Sequence, residues 1–196
     1  DSVKRVSLEL GGKSPNIVFA DADVERAVKT GVLHCMNNTG QSCNAPTRML
    51  VERSVYDQAV EVAKATAAKI QSGNPSEEGR HMGPLVSEMQ FNKVQGLIEE
   101  GIKEGANLIA GGVGRPEGFE KGYFVKPTIF ADVNNDMTIA REEVFGPVLT
   151  MIPFEGEAEA IQIANDTPYG LAAYLSSGDP AKANRVAKKL RAGMVM

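Results

Sequence analysis

Cysteine, histidine and tryptophan are scarce: the 196 residues hold two cysteines, two histidines and no tryptophan. Cys35 and Cys43 come with no C-x-x-C or H-E-x-x-H pattern, so neither a disulfide framework nor a metal site is supported, and a reducing compartment is the default. Long apolar runs are missing too. None approaches the ~20 residues that span a bilayer, and the opening DSVKRVSLEL lacks the apolar core of a secretory signal. A soluble, cytoplasmic chain without a membrane partner is expected. Charge of one sign is also lacking, because 21 Lys and Arg stand against 25 Asp and Glu, a net -4, with no long block of either. That speaks against a nucleic-acid partner and leaves small molecules.

Two nucleotide-binding signatures fail as well. Gly11-Gly12-Lys13-Ser14 looks like the end of a phosphate-binding loop. However, Ser7 stands where that motif needs glycine, and Pro15 with strand-like Asn16 to Phe19 follows where it needs a helix. Gly112 and Gly114 are followed by Glu117, so the dinucleotide fingerprint is absent. Any nucleotide is expected to be held mainly elsewhere.

With 42% hydrophobic residues the chain can bury a sizeable core, and one domain is the simplest reading. Apolar residues recur at helical spacing from Val24 to Met36, Tyr56 to Ile70, Phe91 to Ile102, Ala158 to Ala164 and Ala183 to Leu190. Ser54, Ser87 with Gln90 three residues on, and Asp179 before Pro180 read as helix starts. Short runs read as strands: Ile17 to Phe19, Met49 to Val51, Leu108 to Ala110, Thr128 to Phe130, Leu149 to Pro153 and Ala172 to Leu175, with Val6 to Leu10 also strand-like. Strands separated by helices need crossover connections. The fold class expected is therefore α/β, a three-layer α/β/α arrangement around a mostly parallel sheet. Five glycines and Pro116 between Gly111 and Gly122 mark a surface loop.

Cys43 lies in Asn37-Asn38-Thr39-Gly40-Gln41-Ser42-Cys43-Asn44-Ala45-Pro46, a run of turn formers where a thiol is accessible. Cys35 falls on the apolar face of a helix and reads as core. A nucleophilic cysteine needs a base. His81, beside Arg80, reads as a solvated loop residue, and His34 as structural. Glu9, between Leu8 and Leu10, is either a partly desolvated base or a solvent-facing strand position. Glu142-Glu143-Val144-Phe145-Gly146-Pro147 suits the gripping of a polar, planar ligand or is an ordinary charged turn.

Read in order, Leu8-Glu9-Leu10-Gly11-Gly12-Lys13-Ser14-Pro15, Gly40-Gln41-Ser42-Cys43 and Glu142-Glu143-Val144-Phe145-Gly146-Pro147 resemble the signature motifs of the aldehyde dehydrogenase superfamily. Gly73-Asn74-Pro75, Gly83-Pro84, Gly122-Tyr123-Phe124 and Asn165 through Leu171 extend the resemblance over nearly the whole chain. It implies NAD or NADP as cofactor, an aldehyde substrate, Cys43 as nucleophile and Glu9 as the base that hydrolyses a thioester. It further implies that Glu143, Phe145, the Leu10 backbone and Gln90 contact the cofactor. It also implies that residues 1–196 are the catalytic domain of a longer homo-oligomeric enzyme, a dimer or tetramer, whose NAD-binding domain and C-terminal oligomerisation segment lie outside this sequence. Two other classes stay open: a cofactor-independent cysteine esterase, and a non-catalytic structural domain.

Overall fold

The computed structural model describes residues 2–196. Its seven strands are β1 (Pro15–Val18), β2 (Arg48–Glu52), β3 (Asn107–Ala110), β4 (Thr128–Ala131), β5 (Val148–Phe154), β6 (Ala172–Ser176) and β7 (Met194–Val195). They form one sheet in the order β3-β4-β5-β2-β1-β6-β7. Every neighbouring pair is parallel except β3 with β4. The helices are α1 (Val24–Met36), α2 (Tyr56–Ala67), α3 (Glu88–Lys103), α4 (Thr138–Arg141), α5 (Gly156–Asn165) and α6 (Pro180–Ala187).

Consecutive strand residues point to opposite faces, and the core divides accordingly. Val18, Met49, Val51, Leu149 and Met151 pack against Val28, Val32, Ala59 and Ala63 of α1 and α2. Their neighbours Ile17, Leu50 and Phe154 meet Ala160, Ala164 and Val186 of α5 and α6. Phe130, Val148 and Ile152 meet Val94, Ile98 and Ile139 of α3 and α4. Each fully buried Val, Leu, Ile, Met or Phe among these contributes about 1.5–3 kcal/mol. The result is the three-layer α/β/α fold that the periodicity predicts. No helix is long and apolar enough to cross a membrane among the described residues.

Several local expectations need correction. Val6 to Leu10 is not a strand: residues 2–14 carry no regular structure, and Val6, Leu8 and Leu10 are exposed. Alternation alone makes no strand where no neighbour supplies hydrogen bonds. Ser54 does not cap α2. It sits inside a short 3-10 turn, and the helix begins after Val55 without a side-chain cap. Ser87 does cap α3, accepting from Gln90 N at 3.2 Å, and Asp179 caps α6 ahead of Pro180. The loop from Gly111 to Gly122 is as expected, with positive φ at Gly111, Gly112, Gly114, Gly118 and Gly122.

Candidate active site

β1, β2 and β5 are parallel and adjacent in the sheet, so whatever precedes each of them arrives at the same edge. Gly11-Gly12 runs into β1, the Cys43 loop into β2, and Glu143-Val144-Phe145-Gly146-Pro147 into β5. Segments 131 positions apart are thereby joined: the Gly12 amide donates to Glu143 Oε1 at 2.9 Å. A Cβ on Gly12 would lie 2.1 Å from the Cys43 carbonyl oxygen, and one on Gly11 would lie 2.5 Å from Glu143 Oε2. Glycine is needed at position 12 because a backbone carbonyl passes where a side chain would be, whereas at Gly11 the neighbour is the far end of the Glu143 side chain, which can give way.

Cys43 and Asn44 form the corner of a β-turn closed by Ala45 N donating to Ser42 O at 3.1 Å. Cys43 is half-buried, and the turn leads directly to the buried Thr47 and Arg48 at the start of β2. Cys35 differs as expected. It is fully buried, and loss of solvation pushes its thiol up to about 12, with Lys13 opposing. It is chemically silent near neutral pH.

The approach to Cys43 is strained and held. Asn38 and Thr39 adopt φ of 51° and 58°, a costly conformation, above all for β-branched threonine. Thr39 Oγ1 donates to Gly83 O at 3.0 Å, and Asn38 and Gln41 exchange side-chain bonds with each other's carbonyls. Gln41 Oε1 also accepts from Val86 N at 2.9 Å. Phe145 is a third left-handed residue, with φ 53°. It is fixed by Gln90, whose Nε2 donates to both Val144 O and Phe145 O at 2.9 Å. Gln90 therefore spends its amide hydrogens on the loop that bears Glu143 and Phe145, leaving only Oε1 for a ligand. Lys93 Nζ donates to Glu143 O at 2.8 Å and supports the same loop.

Glu9 and Leu10 stand apart from this cluster. Both are exposed, which for Glu9 is the solvent-facing of its two readings. Glu9 stands only three positions before Gly12, a span of at most about 11 Å. His81 is not tied to Cys43; its Nε2 pairs with Asn74 O at 2.8 Å. His34 stacks edge-on with Tyr174.

Beneath the site lies a polar layer centred on Arg48, a residue outside the motifs. Arg48 is fully buried. Its guanidinium donates to Lys13 O at 2.9 Å, Asn135 Oδ1 at 2.7 Å, Ile163 O at 3.0 Å and Ala164 O at 2.9 Å. Asn135 in turn donates to Asp166 Oδ2 at 2.8 Å, and Arg141 does so at 3.0 Å. Hydrogen bonds from Arg141 and Asn135 hold the Asp166 carboxyl below its ordinary value. Lys13 is 1% exposed, and its Nζ has no hydrogen-bond partner among the described residues. Burial, with Arg48 adding repulsion, lowers its pKa to about 7.

The family model of the aldehyde dehydrogenase family matches residues 1–196, and the chain belongs to that family. It is 57% identical over 194 residues to the 3-succinoylsemialdehyde-pyridine dehydrogenase of a Pseudomonas species, covering 99% of this chain and 41% of that protein. The crystal structure of an aldehyde dehydrogenase from Bartonella henselae superposes with a TM-score of 0.96 at 56% identity, covering 98% of this chain and 40% of that one. A cysteine-to-alanine mutant of aldehyde dehydrogenase C from Pseudomonas syringae, complexed with NAD+ and octanal, gives a TM-score of 0.96 at 49% identity, with the same coverage. The chain thus spans about two fifths of the length of the relatives it matches.

Proposed function

We propose that residues 1–196 are the catalytic domain of a longer NAD(P)-dependent aldehyde dehydrogenase that oxidises an aldehyde to a carboxylic acid. The observation that carries this is the meeting of Gly12, the Cys43 turn and Glu143 at one sheet edge. A relative of 57% identity named for a semialdehyde, and one solved with NAD+ and octanal, support the same chemistry. The residues present fit the nicotinamide end of the cofactor. Gly12 occupies one oxygen of Glu143 and leaves the carboxylate an acceptor for ribose hydroxyls, while the half-buried Phe145 offers a flat apolar face beside it. Gln90 serves by holding that loop, and the exposed Leu10 offers its backbone to the carboxamide.

The Cys43 thiolate attacks the aldehyde carbon, forming a C–S bond and placing the electron pair on oxygen. The Cys43 amide donates to that oxyanion, an interaction of about 3 kcal/mol. A bound NAD(P)+ would supply the acceptor for the hydride that this carbon must lose to become a thioester on Cys43. Glu9 then takes a proton from water, the hydroxide adds to the thioester, and the C–S bond breaks to return the thiolate and release the acid. Glu9 must turn in from the exposed segment to do so. Cytoplasmic residence and homo-oligomeric assembly, as dimer or tetramer, complete the proposal. The test is Cys43→Ala in the longer enzyme: NADH production from aldehyde is expected to vanish with the fold intact, and retained turnover would sink the assignment.

A further inference from the structure

Tyr174 belongs to none of the motifs above, yet it reaches the nucleophile's turn from the far side. On β6 it pairs with Asn16 of β1, and its hydroxyl donates to Asn44 O at 2.9 Å. Its ring meets that of His34 on α1 edge-on, with centroids 5.0 Å apart and planes at 83°. Burial first, and the neighbouring Cys43 second, raise the Tyr174 pKa above its ordinary value, so the hydroxyl stays a donor near neutral pH. The two corner residues of the turn are therefore held separately. Gly12 packs against the Cys43 carbonyl, fixing the plane of the Cys43–Asn44 peptide. Tyr174 holds the Asn44 carbonyl, fixing the plane of the next. Without the second hold, only the turn's own bond from Ala45 N to Ser42 O at 3.1 Å resists rotation of that peptide, a movement that would carry Cys43 with it.

We infer that Tyr174 is a positioning residue for Cys43: its hydroxyl, with the ring braced by His34, sets the orientation of the Cys43–Asn44 turn. The inference rests on Cys43 being the nucleophile. A tyrosine that merely filled space between α1 and β6 would need only its ring, and Tyr174→Phe keeps the ring.

The experiment compares Tyr174→Phe, Cys43→Ala and the parent in the longer enzyme by steady-state kinetics, iodoacetamide alkylation of Cys43 read by mass spectrometry, and thermal unfolding. For Tyr174→Phe, kcat and the Cys43 alkylation rate are each expected to fall about five-fold, the scale of one ordinary net hydrogen bond. KM for NAD is expected to hold, and the melting temperature to fall by no more than about 4 °C. Parent-like kcat and alkylation in Tyr174→Phe, with Cys43→Ala inactive, would overturn this inference alone. A joint fall of kcat, NAD affinity and melting temperature would assign Tyr174 a merely structural role and overturn it too. Turnover surviving in Cys43→Ala would remove the nucleophile assignment, and this inference with it.

Discussion

Gly12→Ala tests whether the contact between Gly12 and the Cys43 turn governs catalysis. The added Cβ would stand 2.1 Å from the Cys43 carbonyl oxygen, whereas an ordinary carbon–oxygen contact is about 3.3 Å. Roughly 1.2 Å of separation must therefore open. The obstacle is backbone, so no side-chain rotation relieves it. The movement falls either on the Cys43 turn or on the Gly12 amide that holds Glu143 Oε1 at 2.9 Å. Displacing a reacting group by about 1 Å costs on the order of 100-fold in rate, while overpacking at such a site costs about 1–3 kcal/mol of stability. Gly12→Ala in the longer enzyme is expected to lower kcat about 100-fold and to weaken NAD binding, with a modest fall in melting temperature. Steady-state NADH production, NAD titration and thermal unfolding read these three effects. A variant with kcat and NAD affinity like the parent's would refute the reasoning, because it would mean that the turn and Gly12 do not pack as described.

Two further perturbations address the polar layer under the site. Arg48→Met leaves the carbonyls of Lys13, Ile163 and Ala164 and the Asn135 side-chain oxygen without their donor. Urea unfolding is expected to show a loss of about 3–5 kcal/mol. Lys13→Met is read through pH: the lysine titrates near 7 when folded, against an ordinary 10.5, so between those values the unfolded chain binds more protons than the folded one. Stability then rises with pH across that window, the burial cost being fully present below about 7. Lys13→Met is expected to flatten that rise in unfolding free energy; an unchanged slope from neutral to alkaline pH would show that Lys13 keeps its proton.

How far the sequence reached can be judged residue by residue. The 3.6-residue stripe from Val24 to Met36 is α1 as observed, and the stripe that put Cys35 in the core and Cys43 in a loop separated an inert thiol from an accessible one. Such features are local: a period or a cap depends on neighbours a few positions away, so the chain states them directly. Motif order also brought Cys43 and Glu143 under suspicion together.

The order of the strands, by contrast, follows from pairing between distant segments. Only the adjacency of β5, β2 and β1 makes Gly12, Cys43 and Glu143 one site. The same non-locality accounts for what a local reading leaves open. Val6 to Leu10 alternates like a strand but finds no partner among the described residues, and Glu9 is exposed there. Gln90 turns its amide to the carbonyls of Val144 and Phe145. Arg48 and Tyr174 carry no motif, and their importance arises from carbonyls that long-range packing brings to them. The sequence by itself determined the elements, the layer class and the two candidate reactive groups. The tertiary structure decided which backbone groups face those side chains, because hydrogen-bond partners in a parallel sheet are set by strand order and not by proximity along the chain.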